Sequence, residues 1–94
     1  MKVLFFYVYI LFSLRDKKLY IGYTENLKIR LGEHFNGRAK ATANRRPLEI
    51  IHYEAFTDIR DAKAREKFLK SGFGRSQMKK ALQNKLKELG YQLS

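Results

Sequence analysis

Residues 3–23 read VLFFYVYILFSLRDKKLYIGY, and this stretch decides the fold. Two apolar runs, Val3 to Phe12 and Leu19 to Tyr23, flank the polar segment Ser13 to Lys18. Both runs are rich in the β-branched and aromatic residues that are common in strands. A short polar connection between two such runs is typical of an antiparallel hairpin. The sequence therefore predicts that the two runs pair as neighbouring strands.

A helix is predicted directly after the hairpin. Leu27, Leu31 and Phe35 recur every four residues, which is the spacing expected for one face of a helix. Thr24 or Asn26 is the predicted N-cap, because either side chain can accept a hydrogen bond from the first turn.

The middle of the chain predicts a loop, a strand and a second helix. Residues 37–47 are small, polar and basic, so they predict a loop that begins where Gly37 ends the first helix. Leu48 to Phe56 is rich in Ile, Tyr and Phe and predicts a third strand. Asp58 is a suitable N-cap for a helix that runs to about Ser71.

The predicted second helix carries a carboxylate on its apolar face. At about 100° per residue, one face collects Glu66 together with four apolar side chains, Ile59, Ala62, Leu69 and Phe73. A carboxylate on a buried face is costly unless a cation or hydrogen bonds compensate its charge. We expect Glu66 either to bind a divalent metal ion or to form a salt bridge with Arg30 or a neighbouring lysine.

A third helix is predicted from an N-cap at Ser76 to Gly90. Its inward positions are apolar and its outward positions are basic: Met78, Leu82, Leu86 and Leu89 face inward, and Lys79, Lys80, Lys85 and Lys87 face outward. A chain of 94 residues is long enough for one modest core, so residues 1–94 are expected to form a single domain.

The charge of the chain indicates its partner. Twenty lysine and arginine residues stand against nine aspartate and glutamate residues, which leaves a formal charge of +11. The charges are spread along the whole chain, so nucleic acid, either DNA or RNA, fits better than a membrane surface. A basic but inert surface is the alternative. The expected nucleic-acid contacts lie in the loop and on the third helix: Arg38, Lys40, Thr42, Arg45, Arg46, Lys79 and Lys80.

The sequence contains no cysteine, which excludes disulfides and thiolate metal sites. We predict a cytoplasmic location, which this composition permits. The apolar run Val3 to Phe12 is too short to span a bilayer, and no small-residue cleavage site of a secretory signal follows it. A buried strand explains this run better than a membrane segment does.

Five sequence elements follow one another along the chain: Tyr7-Val8-Tyr9, Tyr20-Ile21-Gly22, Arg30, His34 and Ala64-Arg65-Glu66. In this order and at these separations they resemble the motifs of the GIY-YIG nuclease domain. Thr42 with Arg45-Arg46-Pro47 is similar to the small standalone bacterial branch of that family. One tripeptide alone would be a weak signal, whereas five elements in order make a chance match unlikely.

The resemblance implies an α+β fold in which helices flank a three-stranded antiparallel sheet. It also implies a metal-dependent endonuclease site on one face of that sheet. The residues that it assigns to the site are Tyr9, Tyr20, Arg30 and His34, with Glu66 as the ligand of one Mg²⁺ or Mn²⁺ ion.

The side chains themselves suit phosphodiester hydrolysis. Arg30 can grip a phosphate bidentately and stabilise the charge of the transition state, although a solvated surface arginine is the alternative. Tyr9 can activate the attacking water, as a base or through a hydrogen bond, and Tyr20 can orient the water or the phosphate. His34 can relay a proton or hydrogen-bond the phosphate, or it can be structural.

Two further residues of the motifs have packing alternatives. Tyr7 shares the strand face of Tyr9 by the period of two, so it is either a further catalytic residue or a packing residue. Gly22 is expected to permit a close approach of backbone or helix after the second strand.

The leading hypothesis is a Mg²⁺-dependent endonuclease that acts on DNA, including the structured or damaged forms on which repair nucleases act. The alternative is a non-catalytic DNA- or RNA-binding module on the same fold. It is suggested because Ser76 to Lys79 occupies the stretch where repair and homing members of the family usually have an asparagine. The sequence shows no base-reading element, so a protein partner is expected to supply targeting. The sequence does not predict the oligomeric state.

Overall fold

The three predicted strands form one antiparallel sheet. The computed structural model describes residues 4–91, and the strands are β1 (Phe6–Ser13), β2 (Leu19–Thr24) and β3 (Leu48–Phe56). β1 lies in the centre and pairs antiparallel with both neighbours, which gives the order β2-β1-β3. The predicted α+β architecture, with helices flanking a three-stranded sheet, is confirmed.

The first strand is shorter than predicted. It begins at Phe6, which pairs with Phe56 at the end of β3, so beyond this point the neighbouring strand offers no partner. Leu4 and Phe5 precede the strand. Val3, the predicted start, lies outside the described residues.

The helices lie on both faces of the sheet. The helical segments between residues 4 and 91 are α1 (Leu27–Asn36), a 3-10 turn (Ala43–Arg45), α2 (Ile59–Lys70), α3 (Gly72–Ala81) and α4 (Gln83–Glu88). α2 contacts all three strands, and α3 packs against α2. α1 reaches the other face, where it carries the histidine that contacts Tyr9. None of the helices in this part of the chain has the length and apolarity that a membrane crossing needs.

β1 separates the hydrophobic core from the candidate site. Every residue from Val8 to Ser13 is at most 1% exposed. Val8 and Ile10 face α2 and α3, and they form the core with Ile21, Ala62, Leu69 and Met78. Because side chains alternate along a strand, Tyr7 and Tyr9 lie on the opposite face, toward α1.

The predicted ends of the first two helices are confirmed. Asn26 is the N-cap of α1, because its Oδ1 accepts a hydrogen bond from the Ile29 amide at 3.1 Å. Gly37 ends the helix with φ of 87°, a conformation that favours glycine. Asp58 caps α2, since its Oδ1 accepts from the Arg60 amide at 2.8 Å.

The third predicted helix has the wrong start. α3 begins at Gly72 and its N-cap is Ser71, whose Oγ accepts from the Gly74 amide at 3.1 Å. Gly74 lies against the Phe68 carbonyl, where a Cβ atom would collide with the backbone. Two glycines weaken the helical pattern in the sequence, but this close crossing of α2 and α3 favours glycine.

One helix was predicted up to Gly90, whereas the structure has two, α3 and α4. α3 ends before Leu82, whose φ of −108° and ψ of 20° lie outside the helical region, and α4 follows directly. Met78 and Leu86 are buried on either side of this break, as predicted.

Three apolar side chains that were predicted to face inward are exposed. Phe35 is 45% exposed, Ile59 is 41% exposed and Phe73 is 68% exposed. On α1 the buried position belongs to His34, so Phe35 turns outward. The Phe73 ring keeps only an edge contact with the Phe68 ring, at 6.1 Å between centroids. Each of the three lies near a helix end, where the neighbouring element no longer covers the apolar stripe.

The basic loop after α1 is tied to the β1–β2 turn. The Ser13 hydroxyl donates to the Arg45 carbonyl at 2.6 Å, and the Leu14 amide donates to the Pro47 carbonyl at 2.9 Å. The Arg45 guanidinium also holds the Asp16 carboxylate at 2.6 Å. These contacts explain why the predicted loop contains an ordered 3-10 turn.

Candidate active site

Tyr9, His34 and Thr42 form a buried hydrogen-bonded chain. The Tyr9 hydroxyl lies 2.7 Å from Nε2 of His34, and Nδ1 of the same ring lies 2.6 Å from the Thr42 hydroxyl. All three residues are completely buried. Both ring nitrogens are therefore occupied, and the imidazole is held in one orientation against the central strand.

The predicted place of Thr42 on the exposed nucleic-acid surface is wrong. Its side chain is buried beneath the loop and bonds to His34. The surrounding residues are small, polar and basic, so no local pattern indicates a long-range partner for this threonine. The geometry makes Thr42 a positioning residue for the imidazole.

Gly22 and Tyr20 complete the cluster from the neighbouring strand. Gly22 is paired with Tyr9 across β1 and β2, and the Tyr9 ring lies over it so closely that a Cβ atom would overlap the ring. The sequence predicted a close approach of backbone or helix at Gly22, whereas the group that approaches is the Tyr9 side chain. The Tyr20 ring centroid lies 6.4 Å from that of Tyr9 and 5.2 Å from that of His34.

Arg30 lies beside the Tyr9 hydroxyl on α1. Its Nη1 also forms an ion pair with Oε1 of Glu33 at 3.0 Å, one turn along the same helix. Glu33 and then Tyr9 raise the pKa of Arg30 above its ordinary value, so the guanidinium stays charged. The predicted alternative of a salt bridge between Arg30 and Glu66 is not found, because the nearer Glu33 takes that role.

Glu66 approaches the cluster from α2. Its carboxylate accepts from Lys70 Nζ at 3.0 Å and lies 3.8 Å from Lys63 Nζ, and its side chain is 16% exposed. Of the predicted alternatives, the salt bridge to neighbouring lysines is therefore present. The Glu66 charge is close enough to help raise the pKa of Tyr9, although burial is the larger cause.

The protonation states of the cluster follow from burial. Burial, assisted by the Arg30 charge, lowers the pKa of His34 to about 4, so its imidazole is neutral near pH 7. Burial also raises the pKa of Tyr9 above its ordinary value, although Arg30 acts in the opposite direction. Tyr9 is therefore a neutral phenol, and this favours a hydrogen-bonding role over a phenolate base.

Tyr7 lies outside the hydrogen-bonded chain. Its ring packs at 6.2 Å from the Phe5 ring and at 6.3 Å from the Tyr53 ring, and it is half-buried. Within residues 4–91 its hydroxyl has no hydrogen bond to the cluster. Its geometry matches the packing alternative more closely than the catalytic one.

The predicted nucleic-acid residues separate into two groups. Arg38, Lys40, Arg46 and Lys80 are exposed. Arg45 and Lys79 are half-buried, and both line a cleft beside the β1–β2 turn. Asp16 holds Arg45 there, and Arg45 in turn lowers the pKa of that carboxyl to about 2.

The carboxylates that pair with Arg30 and Arg45 were not predicted from the sequence. Glu33 lies three residues after Arg30 on a predicted helix, so helical spacing was sufficient to identify it. Asp16 and Arg45 are 29 residues apart, and no local pattern connects them.

The residues that could hold a metal ion are few. Residues 4–91 contain no cluster of three or more His, Asp or Glu side chains suited to metal binding. Glu66, whose side chain is 16% exposed, is the carboxylate predicted to bind the ion. This donor set fits Mg²⁺ or Mn²⁺, because Mg²⁺ commonly keeps several waters and binds through one or two carboxylates and the substrate phosphate.

Comparisons with known proteins find relatives over most of the chain. A model of the GIY-YIG catalytic domain matches residues 5–81. The chain is 36% identical over 87 residues to a UPF0213 protein of Clostridium perfringens, with 92% of each chain covered. It is 46% identical over 66 residues to a UPF0213 protein of Natronomonas pharaonis, which covers 69% of this chain and 76% of that relative.

A solved structure is similar to this fold. The solution NMR structure of a UPF0213 protein from Bacillus halodurans superimposes with a TM-score of 0.51 at 32% sequence identity. The match covers 79% of this chain and 81% of that chain.

Proposed function

The chain belongs to the GIY-YIG family of nuclease domains, and we propose that it is a metal-dependent endonuclease that hydrolyses phosphodiester bonds in DNA. The observation that carries this proposal is the convergence of Tyr9, Tyr20 and Arg30 around one buried histidine, with the Glu66 charge close enough to act on Tyr9. These side chains come from β1, β2, α1 and α2. The phenols, the guanidinium and the carboxylate that the proposed reaction uses thus come from four separate elements.

Arg30 is the proposed ligand of the scissile phosphate. Its guanidinium is charged at every physiological pH, and it is about one-third exposed beside the Tyr9 hydroxyl. A planar guanidinium can donate two parallel hydrogen bonds to a phosphate, which a lysine cannot do. Glu33 holds one edge of Arg30 and so orients the side chain before substrate binds.

Tyr9 is proposed to orient and polarise the attacking water. If Nδ1–H of His34 donates to the Thr42 hydroxyl, Nε2 is free to accept a hydrogen bond from the Tyr9 hydroxyl. The Tyr9 oxygen then has lone pairs free to accept a hydrogen bond from water. Tyr20, whose ring packs on the His34 ring, is placed to hold the same water or a phosphate oxygen.

Glu66 is the proposed metal ligand. A bound divalent ion would lower the pKa of its water and neutralise charge that develops on the phosphate. The carboxylate is now shared with Lys63 and Lys70, so these lysines must give way when the ion binds. Both lysine side chains are more than half exposed, so they can turn toward solvent and leave the carboxylate to the ion.

A non-catalytic nucleic-acid-binding module is the second candidate. The specific observation in its favour is the occupation of Glu66 by two lysines, which neutralise the charge that a metal would need. The excess positive charge would support binding to DNA or RNA in either case.

Three further features belong to the same proposal. The natural substrate is proposed to be structured or damaged DNA, as for repair nucleases, because residues 4–91 form no separate base-reading element. A protein partner would then supply targeting. The lack of cysteine supports action in the cytoplasm.

A cleavage assay with matched substrates tests the proposal. Labelled single-stranded, duplex, flapped and four-way-junction DNA are incubated with the protein in Mg²⁺, Mn²⁺ or EDTA, alongside RNA of the same sequence. We expect cleavage of at least one DNA form with either metal ion and none in EDTA. Binding without cleavage under every condition would contradict the endonuclease and favour the second candidate.

A further inference from the structure

A polar cleft opens where the β1–β2 turn meets α3. Its volume is about 620 Å³, and it lies away from the Tyr9 cluster. The polar and aromatic side chains that line it are Asp16, Lys18, Arg45, Arg75, Lys79 and Tyr91. Four of the six are cations and one is an anion. Folding therefore gathers positive charge from segments that are far apart in the sequence.

Three of the four cations have no carboxylate partner within residues 4–91. Asp16 is bound by Arg45 through two contacts, at 2.6 Å and 3.2 Å. Across residues 4–91, the ion pairs within 4.0 Å all involve cations other than Lys18, Arg75 and Lys79. Among the described residues, these three cations leave the cleft with an excess of positive charge.

Neutral groups hold two of these cations in place. Arg75 Nη2 donates to the Lys70 carbonyl at 3.3 Å, at the end of α2. Lys79 Nζ lies 5.3 Å from the centre of the Tyr91 ring. That ring packs edge-on against the buried Phe12 at 6.3 Å. The wall of the cleft is thus anchored to the core, while the charges remain available to a ligand.

The cleft is joined to the candidate active site through short segments of backbone. The Arg45 amide donates to the Thr42 carbonyl at 2.9 Å, and the Thr42 hydroxyl contacts His34. Leu19 also lines the cleft, and it begins the strand that carries Gly22 opposite Tyr9. Leu19 and Gly22 are three residues apart on β2, which corresponds to about 10 Å along the strand.

We propose that this cleft binds a phosphate group of the nucleic-acid strand, outside the linkage that is cleaved, with Lys18, Arg75 and Lys79 as its ligands. Guanidinium and ammonium groups that converge in a concave site can donate hydrogen bonds to the oxygens of one phosphate group. The cleft anchors the strand while Arg30 and Glu66 act on the scissile linkage. The inference rests on the proposed function in taking nucleic acid as the ligand, but it does not require cleavage.

Strand binding without cleavage tests the cleft directly. Fluorescence anisotropy of a short labelled DNA strand in EDTA is compared for the wild type, Lys79→Glu, Arg75→Glu and the control Lys67→Glu. Lys67 is exposed on the outer side of α2, does not line the cleft, and gives the same change in net charge. We expect each cleft variant to weaken binding about tenfold and to lower the salt slope by about one. The control should weaken binding by less than about threefold.

The location is checked by an NMR titration of the wild type with inorganic phosphate. Shifts should concentrate at the amides of Lys18, Arg75 and Lys79. Circular dichroism monitors folding, and Lys79→Gln and Arg75→Gln replace the charge reversals if either of those unfolds.

Two results would contradict phosphate binding in the cleft. One is an equal loss of DNA affinity for Lys79→Glu and Lys67→Glu, and the other is a set of phosphate-induced shifts confined to other residues. Either result can occur whether or not the wild type cleaves DNA. Conversely, the wild type could fail to cleave DNA while the cleft variants selectively lose DNA affinity. That result would support phosphate binding in the cleft and contradict the proposed endonuclease activity.

Discussion

At Gly22 a missing side chain determines where Tyr9 lies. The Tyr9 ring covers the Gly22 backbone, and this position directs its hydroxyl to His34. In this chain the glycine at position 22 therefore has a packing reason, in addition to any freedom of the backbone.

Gly22→Ala tests this packing. The added methyl group must displace the Tyr9 ring, so we expect a loss of about 1–3 kcal/mol in the free energy of unfolding. Urea unfolding measures the loss, and an assay of metal-dependent cleavage should show a parallel fall in rate. Gly32→Ala is the matched control, because a Cβ at Gly32 meets nothing within 4 Å and the residue lies within α1. It should be stabilising by up to about 1 kcal/mol. Equal effects of the two changes would contradict the packing account.

The buried His34 predicts how stability depends on pH. The unfolded chain binds a proton at this residue near pH 6.5, whereas the native imidazole stays neutral down to about pH 4. Stability from neutral His34 is therefore present above pH 6.5 and is lost as the pH falls toward 4, by about 3 kcal/mol. Urea unfolding between these values should show a steeper fall for the wild type than for His34→Gln. Parallel pH profiles would show that His34 takes up its proton equally in both states.

At the scale of single residues, the local motif was predictable and its long-range partners were not. Tyr9, Tyr20 and Arg30 stand out because their types and spacing form a pattern. Thr42 and Asp16 do not, because each acts through a contact that only the folded chain creates.

At the scale of elements, the sheet is easier to predict than the last two helices. β1 and β3 are long runs of β-branched and aromatic residues, and their composition is distinct from the polar turns around them. The start of α3 is hidden because Gly72 and Gly74 lower its helix propensity. The contact at the Phe68 carbonyl that favours Gly74 is tertiary, so no local rule anticipates it.

The two serines near α3 distinguish the observed helix start from the predicted one. Ser71→Ala removes the hydroxyl that accepts from the Gly74 amide, so we expect a loss of about 1 kcal/mol. Ser76→Ala removes an exposed hydroxyl inside the helix and should change stability by less than about 0.5 kcal/mol. Thermal unfolding should place the Tm of the first variant about 4–8 °C below that of the second. A larger loss of stability for Ser76→Ala than for Ser71→Ala would instead support the predicted helix start at Ser76.

At the scale of the whole molecule, the positive charge exceeds what the carboxylates can pair. Several of the nine acidic side chains hold nearby cations, as Glu33 holds Arg30 and Asp58 holds Arg60. Many exposed lysines and arginines, among them Arg38 and Lys40, remain for a polyanion. The total charge was readable from composition, but its concentration in the cleft required the fold.

Nucleic-acid binding should therefore depend steeply on salt. Several phosphate contacts release condensed counterions, so affinity should fall at least about tenfold between about 50 and 200 mM salt. Anisotropy with labelled DNA in EDTA measures this without cleavage. An affinity that does not change with salt would contradict the polyanion interpretation.

The central claim is that Glu66 holds the catalytic metal ion of a nuclease, and a comparison of two carboxylate variants tests it most directly. Glu66→Gln keeps the size of the side chain but removes the charge, whereas Glu88→Gln makes the same change at an exposed residue of α4. The account predicts that Glu66→Gln loses about 100-fold or more of the Mg²⁺-dependent cleavage rate while it still binds DNA in EDTA. Glu88→Gln should cleave at the rate of the wild type. Cleavage by Glu66→Gln at the wild-type rate would contradict the assigned metal site.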